Sequence, residues 1–195
     1  MSQWQRCRAP SGFSLVELML ALSLGLALSA VVLQGLMAES QVGLRVARLM
    51  RERAVQRRTL DLIQSDLAQA TTAQVAIDGE AAACGLSGRT AVLHLKTSAG
   101  LITYSIGAAP SRIWRGAVLM RCGPAYGLDG WLQVGSAAVQ RVVLDGLAQR
   151  DDAVAVAITP ASGAATLTIE QELKDGAGQV QRISTSRIIA STLFQ

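Results

Sequence analysis

Gly12-Phe13-Ser14-Leu15-Val16-Glu17-Leu18 opens onto Leu18–Ala38, LMLALSLGLALSAVVLQGLMA, a run of 21 residues without a charge. At ~1.5 Å per residue a helix of that length spans about 30 Å, the thickness of a bilayer's hydrocarbon. Glu17 sits one residue before the run, and an ionisable group at the head of a membrane-length segment is a functional hypothesis by default. Gly25 and Gly35 would weaken this helix in water by ~1 kcal/mol each, but small residues are common where membrane helices pack. The leader MSQWQRCRAPSG is short, polar and basic, with Pro10, Ser11 and Gly12 breaking any helix. It resembles the charged front of an export signal. An ordinary signal is cut after its apolar region. Here the glycine precedes that region, so the apolar run stays with the mature chain.

The helix is expected to continue past the membrane. Glu39 to Ala70 has no proline and only Gly43, and apolar residues recur at Val42, Val46 and Leu49, then at Leu60, Ile63, Leu67 and Ala70. That spacing, interrupted by the polar stretch Arg51 to Arg58, predicts one helix of about 55 residues, Ser14 to about Ala70, exposed or paired in the middle. Its last two turns are amphipathic and are expected to dock on the domain that follows.

After Ala70 the pattern changes to short β-prone pieces separated by Gly, Pro, Ser and Asp. Expected strands are Ala73–Ile77, Ala91–Leu95, Leu101–Ile106, Arg112–Trp114, Ala117–Arg121, Val139–Leu144, Val154–Ile158, Ala165–Leu173 and Val180–Ile189. Thr166 to Leu173 alternates apolar and polar in the half-buried manner, and its pairing with Val180–Ile189 reads as a hairpin. The domain plan is therefore a leader (1–12), a membrane half of the helix (13–38), an extended half (39–70) and a β-rich head (71–195). The fold class is α+β.

Charge gives little. The formal net charge is +4, of which Arg6 and Arg8 lie in the leader. Six arginines (Arg45, Arg48, Arg51, Arg53, Arg57, Arg58) fall in one run opposed only by Glu52. Arg45, Arg48 and Arg51 are candidates for contact with acidic groups of neighbouring subunits or with lipid headgroups; a solvated helix face is the plainer reading of the run, and DNA contact the third. Residues 71–195 carry ten bases against nine acids, poor support for a nucleic-acid partner.

A nucleophilic triad needs a base, and the single histidine, His94, sits in an apolar strand pattern. Neither a phosphate-cradling glycine loop nor a metal-ligand cluster is present in the sequence. No catalytic residue, cofactor or metal is expected. Trp114, Trp131, Tyr104 and Tyr126 are read as core packing rather than a ligand surface. Cys7 lies in the leader, which leaves Cys84 and Cys122, an even pair suited to a disulfide in an oxidising compartment, with two buried thiols as the alternative.

Glycine, aromatic residue, acid and apolar run at these fixed offsets resemble the N-terminus of the type IV prepilin family, which includes pilins and the pseudopilins of type II secretion. The resemblance covers about thirty residues. It implies that prepilin peptidase cuts between Gly12 and Phe13, that Phe13 is N-methylated, and that Glu17 is the assembly acid at the fifth mature position. It further implies a pilin-like fold and an inner-membrane, single-pass chain with a periplasmic head, which then joins other minor and major pilins or pseudopilins. Positive-inside counting points the other way, because six arginines follow Ala38 while the leader holds two. The cleavage motif and the cysteine pair decide for a periplasmic head. Arg58 to Ala70, and Leu144-Asp145-Gly146-Leu147 before the hairpin, look like the equivalent segments of PilW-like minor pilins and GspJ pseudopilins. The expected role is a non-catalytic minor pilin that helps initiate or cap a pilus. The alternatives are a pseudopilin at a pseudopilus tip and a tip pilin that binds DNA or a surface.

Overall fold

The computed structural model describes residues 12, 14–75, 84–86, 88–149, 152–159, 164–174 and 178–190. One helix, α1 (Leu15–Ala68), precedes eight strands: β1 (Ala70–Gln74), β2 (Thr90–Thr97), β3 (Gly100–Ala108), β4 (Ala117–Gly123), β5 (Val139–Leu147), β6 (Val154–Thr159), β7 (Ala164–Lys174) and β8 (Val180–Ala190). The fold is α+β. The chain divides into two compact units, Met1–Met50 and Arg51–Gln195.

In the first unit α1 is long and apolar enough to cross a membrane, and none of its apolar window is buried within the chain. Ser23 and Ser29 return their hydroxyls to the helix's own carbonyls, Ser23 Oγ to Leu20 O (2.9 Å) and Ser29 Oγ to Gly25 O (2.8 Å). Both hydroxyls are thereby satisfied within the helix, as polar groups must be in hydrocarbon.

The second unit begins with the last 18 residues of α1, packed on an antiparallel sheet. Strands run in the order β1-β2-β3-β4-β5-β7-β6, and β8 pairs with the free edge of β7. The β5–β7 link is a single register pair, Leu147 with Gln171, whereas β6 covers Ala164 to Ile169 on the same edge. The expected hairpin is β7–β8, in continuous register from Ala164–Ala190 to Lys174–Val180. Burial along β7 alternates without a break through Leu173, as its sequence predicts. Leu60, Ile63 and Leu67 of α1 meet Leu93, Leu95, Ile102, Leu119, Leu144 and Ile169 of the sheet in one core. Each such side chain contributes roughly 1.5–3 kcal/mol on full burial. Gly123, at the end of β4, is a close-approach position, because a Cβ there would stand 2.8 Å from Ile102 Cγ1 and 3.1 Å from Leu101 O.

Four expectations need correction. The helix ends at Ala68, as expected to within two residues, but β1 starts at Ala70 rather than Ala73, with Gln69 alone between them; Ile77 lies outside the described residues. Docking of α1 begins at Glu52, well before the last two turns. Glu52, Gln56, Thr59, Ile63 and Asp66 recur at three or four residues on the buried face, while Arg51, Arg53, Arg57 and Arg58 are exposed. The polar stretch is thus itself amphipathic, its inward members held by hydrogen bonds. Gln56 Nε2 donates to Ile183 O (3.2 Å), and Thr59 Oγ1 donates to Val143 O (3.1 Å). Arg112–Trp114 is no strand; it lies in the β3–β4 connection, where Trp114 N donates to Ser111 O (3.3 Å). Finally, Trp114 (36% exposed) and Trp131 (65% exposed) are not core, whereas Tyr104 is fully buried and Tyr126 half-buried. His94 is a buried sheet residue whose Nδ1 lies 3.2 Å from Thr103 Oγ1.

Candidate functional site

Ser14 and Glu17 form a reciprocal cap on the first turn of α1. Ser14 N donates to Glu17 Oε2 (3.4 Å), and Glu17 N donates to Ser14 Oγ (3.3 Å). This S-x-x-E arrangement satisfies two amides that a helix start otherwise leaves open, and it favours a carboxylate at the positive end of the helix dipole. It also folds the Glu17 carboxylate back onto the Ser14 amide. Gly12 is exposed. Phe13 and the leader through Ser11 lie outside the described residues.

Arg45, Arg48 and Arg51 are all exposed, and none forms an ion pair with a described residue. The only acid of that stretch, Glu52, is drawn into the second unit by Arg115 (2.9 Å), which also holds Asp145 (3.2 Å). Cys84 and Cys122 are joined as a disulfide with a Cα–Cα distance of 6.1 Å, which ties the segment before β2 to the end of β4. Among the described residues no group of three or more His, Cys, Asp or Glu could hold a metal.

Around Asp66, on the buried face of α1, lies a polar cluster that the sequence reading did not anticipate. Its carboxylate is fully buried and accepts four donors: Arg121 Nε (2.6 Å) and Nη2 (2.9 Å), Tyr126 OH (2.6 Å) and Tyr104 OH. Arg121 Nη1 continues to Pro124 O (3.0 Å), and its guanidinium lies over the Tyr126 ring, 5.3 Å from the centroid. A two-pronged Arg–carboxylate contact of this kind is stronger and more directional than a neutral hydrogen bond. Burial opposes the Arg121 charge, yet the hydrogen bonds and field of Asp66 outweigh it and hold the guanidinium above its ordinary range. Burial, then the Asp66 charge, holds the Tyr104 hydroxyl well above its usual range; burial and the bond to Asp66 push Tyr126 up to about 12. The signal that could have found this cluster is Asp66 itself. It stands three residues from Ile63 and four from Ala70 in an otherwise apolar stripe, and a charge there needs a buried counter-ion.

The cluster anchors the β4–β5 connection. Besides Tyr126, which reaches α1, that segment is held at the α1–β1 junction by Leu132 N donating to Gln69 Oε1 (3.0 Å). It is braced internally by Gly127 N to Trp131 O (2.8 Å), Gln133 N to Ala125 O (2.9 Å) and Trp131 N to Asp129 Oδ1 (3.1 Å), with Gly130 at φ 79° making the turn. Leu132 points into the core, while Leu128, Trp131 and Val134 face solvent. The described residues thus present an apolar helix with a capped acid, exposed cations and a braced loop.

Residues 7–33 match the family model described as the prokaryotic N-terminal methylation motif, which spans Gly12, Phe13, Ser14 and Glu17. No curated protein and no solved structure matches the chain.

Proposed function

We propose that this type IV prepilin-like chain is a minor pilin, a non-catalytic subunit that helps initiate or cap a pilus. The single observation that carries the reading is the methylation motif placed at the start of an apolar helix that the chain itself leaves uncovered. Prepilin peptidase cuts between Gly12 and Phe13, and the new amine of Phe13 is methylated. Glu17, which accepts from the Ser14 amide and stands four residues after Phe13 in sequence, is the carboxylate for that amine to meet. A charge at this depth calls for a counter-charge. In a bundle the carboxylate can satisfy its own amine or that of an adjacent subunit, and the choice sets axial register. The head faces the periplasm, where the Cys84–Cys122 bond suits an oxidising compartment. Arg45, Arg48 and Arg51 meet acidic groups of neighbouring subunits or lipid headgroups. The same attachment chemistry serves a secretion pseudopilus, so the set of subunits that co-purifies with the full chain decides which filament it enters.

The test is Glu17→Ala in the full chain, with leader removal and entry into sheared filaments scored separately. Removal is expected to proceed largely as in the wild type while incorporation falls. Wild-type incorporation of the variant would refute the role given to Glu17, and failure of a Gly12 substitution to block leader removal would refute the processing site.

A further inference from the structure

The β4–β5 segment, Pro124 to Ala138, combines a rigid frame with a solvent-facing apolar tip. Its frame uses Asp66, Gln69 and the Tyr126–Leu132 bridge. Its tip sets out Leu128 fully exposed, Trp131 65% exposed and Val134 78% exposed within seven residues. Asp129 is the one charged residue from Pro124 to Val139, and its carboxylate is engaged by the Trp131 amide. Ordering a loop costs conformational entropy, and here that cost is met in the free chain by buried partners. A preordered surface with a partly exposed tryptophan at its centre has the composition of an interface hot spot.

Size decides what it fits. The three side chains offer roughly 400 Å² of surface, about half of the ~800 Å² per partner that a stand-alone interface needs. The occupant must therefore be held nearby by a second attachment. The chain has one, the uncovered apolar part of α1, and tethering through such helices raises the effective concentration of one head for another to about the millimolar range. We propose that the Leu128–Trp131–Val134 tip docks against an uncharged apolar surface on the head of a second prepilin-type subunit anchored by its own N-terminal helix. This rests on the assembly role proposed above.

Two measurements on the full chain, in cells that assemble the filament, test it. A photo-cross-linking amino acid is placed at Trp131 and, as a control, at Ile188, an equally exposed apolar position (74%) on β8. The expected products from Trp131, identified by mass spectrometry, are adducts with the head of a prepilin-type subunit, at least several-fold above those from Ile188. Adducts only with lipid or with proteins lacking such a helix, or equal labelling from both positions, would overturn the proposal. The triple variant Leu128→Ser, Trp131→Ser, Val134→Ser is then compared with the wild type. Co-purification with that subunit is expected to fall about tenfold, while the melting temperature in detergent stays unchanged because the altered side chains are exposed. Undiminished co-purification would refute the tip contact alone. If the wild type fails to co-purify with any prepilin-type subunit, the assembly reading falls and this one with it.

Discussion

Asp66→Ala is the sharpest perturbation of the head. The substitution deletes both oxygens that accept from Arg121, Tyr104 and Tyr126, and it leaves Arg121, 6% exposed, with Pro124 O as its remaining acceptor. Breaking a buried ion pair by removing one partner costs about 3–5 kcal/mol. The buried Tyr104 hydroxyl, left without its acceptor, adds about 1 kcal/mol or more, whereas half-buried Tyr126 can turn to water. We expect a loss of about 4–5 kcal/mol, a large share of the ~5–15 kcal/mol that holds a domain together. For a unit the size of Arg51–Gln195 this lowers the melting temperature by roughly 10–15 °C. The assay is urea unfolding of the oxidised full chain in detergent, followed by near-ultraviolet ellipticity, which reports the tyrosines of the cluster. Asp66→Leu combined with Arg121→Met replaces the pair with apolar groups of similar volume and should recover at least half of the loss. A cost below about 1 kcal/mol for Asp66→Ala, or a double variant no better than the sum of the singles, would refute the coupling argued here.

Alkaline titration offers a second check. The chain has two tyrosines, Tyr104 and Tyr126, both bonded to Asp66. Their folded pKa values lie above the ordinary 10, Tyr126 at about 12, so the unfolded chain releases these protons first. Stability is then fully present below about pH 10 and declines as pH rises through 12. Tyrosinate absorbance should rise near pH 10 in denaturant and only toward pH 12 in the folded chain; coincident curves would contradict the burial described. Reduction of Cys84–Cys122, or Cys122→Ser, should cost about 3–4 kcal/mol on the chain-entropy model for a sequence separation of 38. Urea midpoints with and without reductant measure this. Gln56→Ala removes the donor to Ile183 O and should cost about 1–3 kcal/mol, whereas Arg57→Ala beside it, exposed, should stay within ~0.5 kcal/mol.

What could be read without coordinates was local. The glycine, acid and apolar run around Glu17 lie within a few residues of each other, and the β7–β8 hairpin declares itself through alternation in β7. Arg112–Trp114 was misread because Ile113 and Trp114 favour strands by type, yet Pro110 and Gly116 confine them to a turn. The partners of Asp66 sit 38, 55 and 60 residues away, and no pattern in α1 announces them. For the same reason Glu52 and Gln56 looked like part of a solvated stretch, since their partners are 63 and 127 residues distant. Residue type alone does not separate Tyr104, which joins Leu, Ile and Val in the core, from Trp131, which sits exposed on a loop.

The one-residue junction between α1 and β1 has a mechanical consequence. A flexible linker would let tension on the helix dissipate before reaching the sheet; Gln69 alone gives no such slack. Within the second unit, a pull along α1 is carried at once by Gln56 on Ile183, Thr59 on Val143 and Asp66 on Arg121. These contacts lie in sequence along the helix, so the pull reaches the sheet at several points. In the second unit, force applied to α1 therefore passes to the sheet without a slack segment, through helix positions from Gln56 to Asp66 and the Gln69 junction.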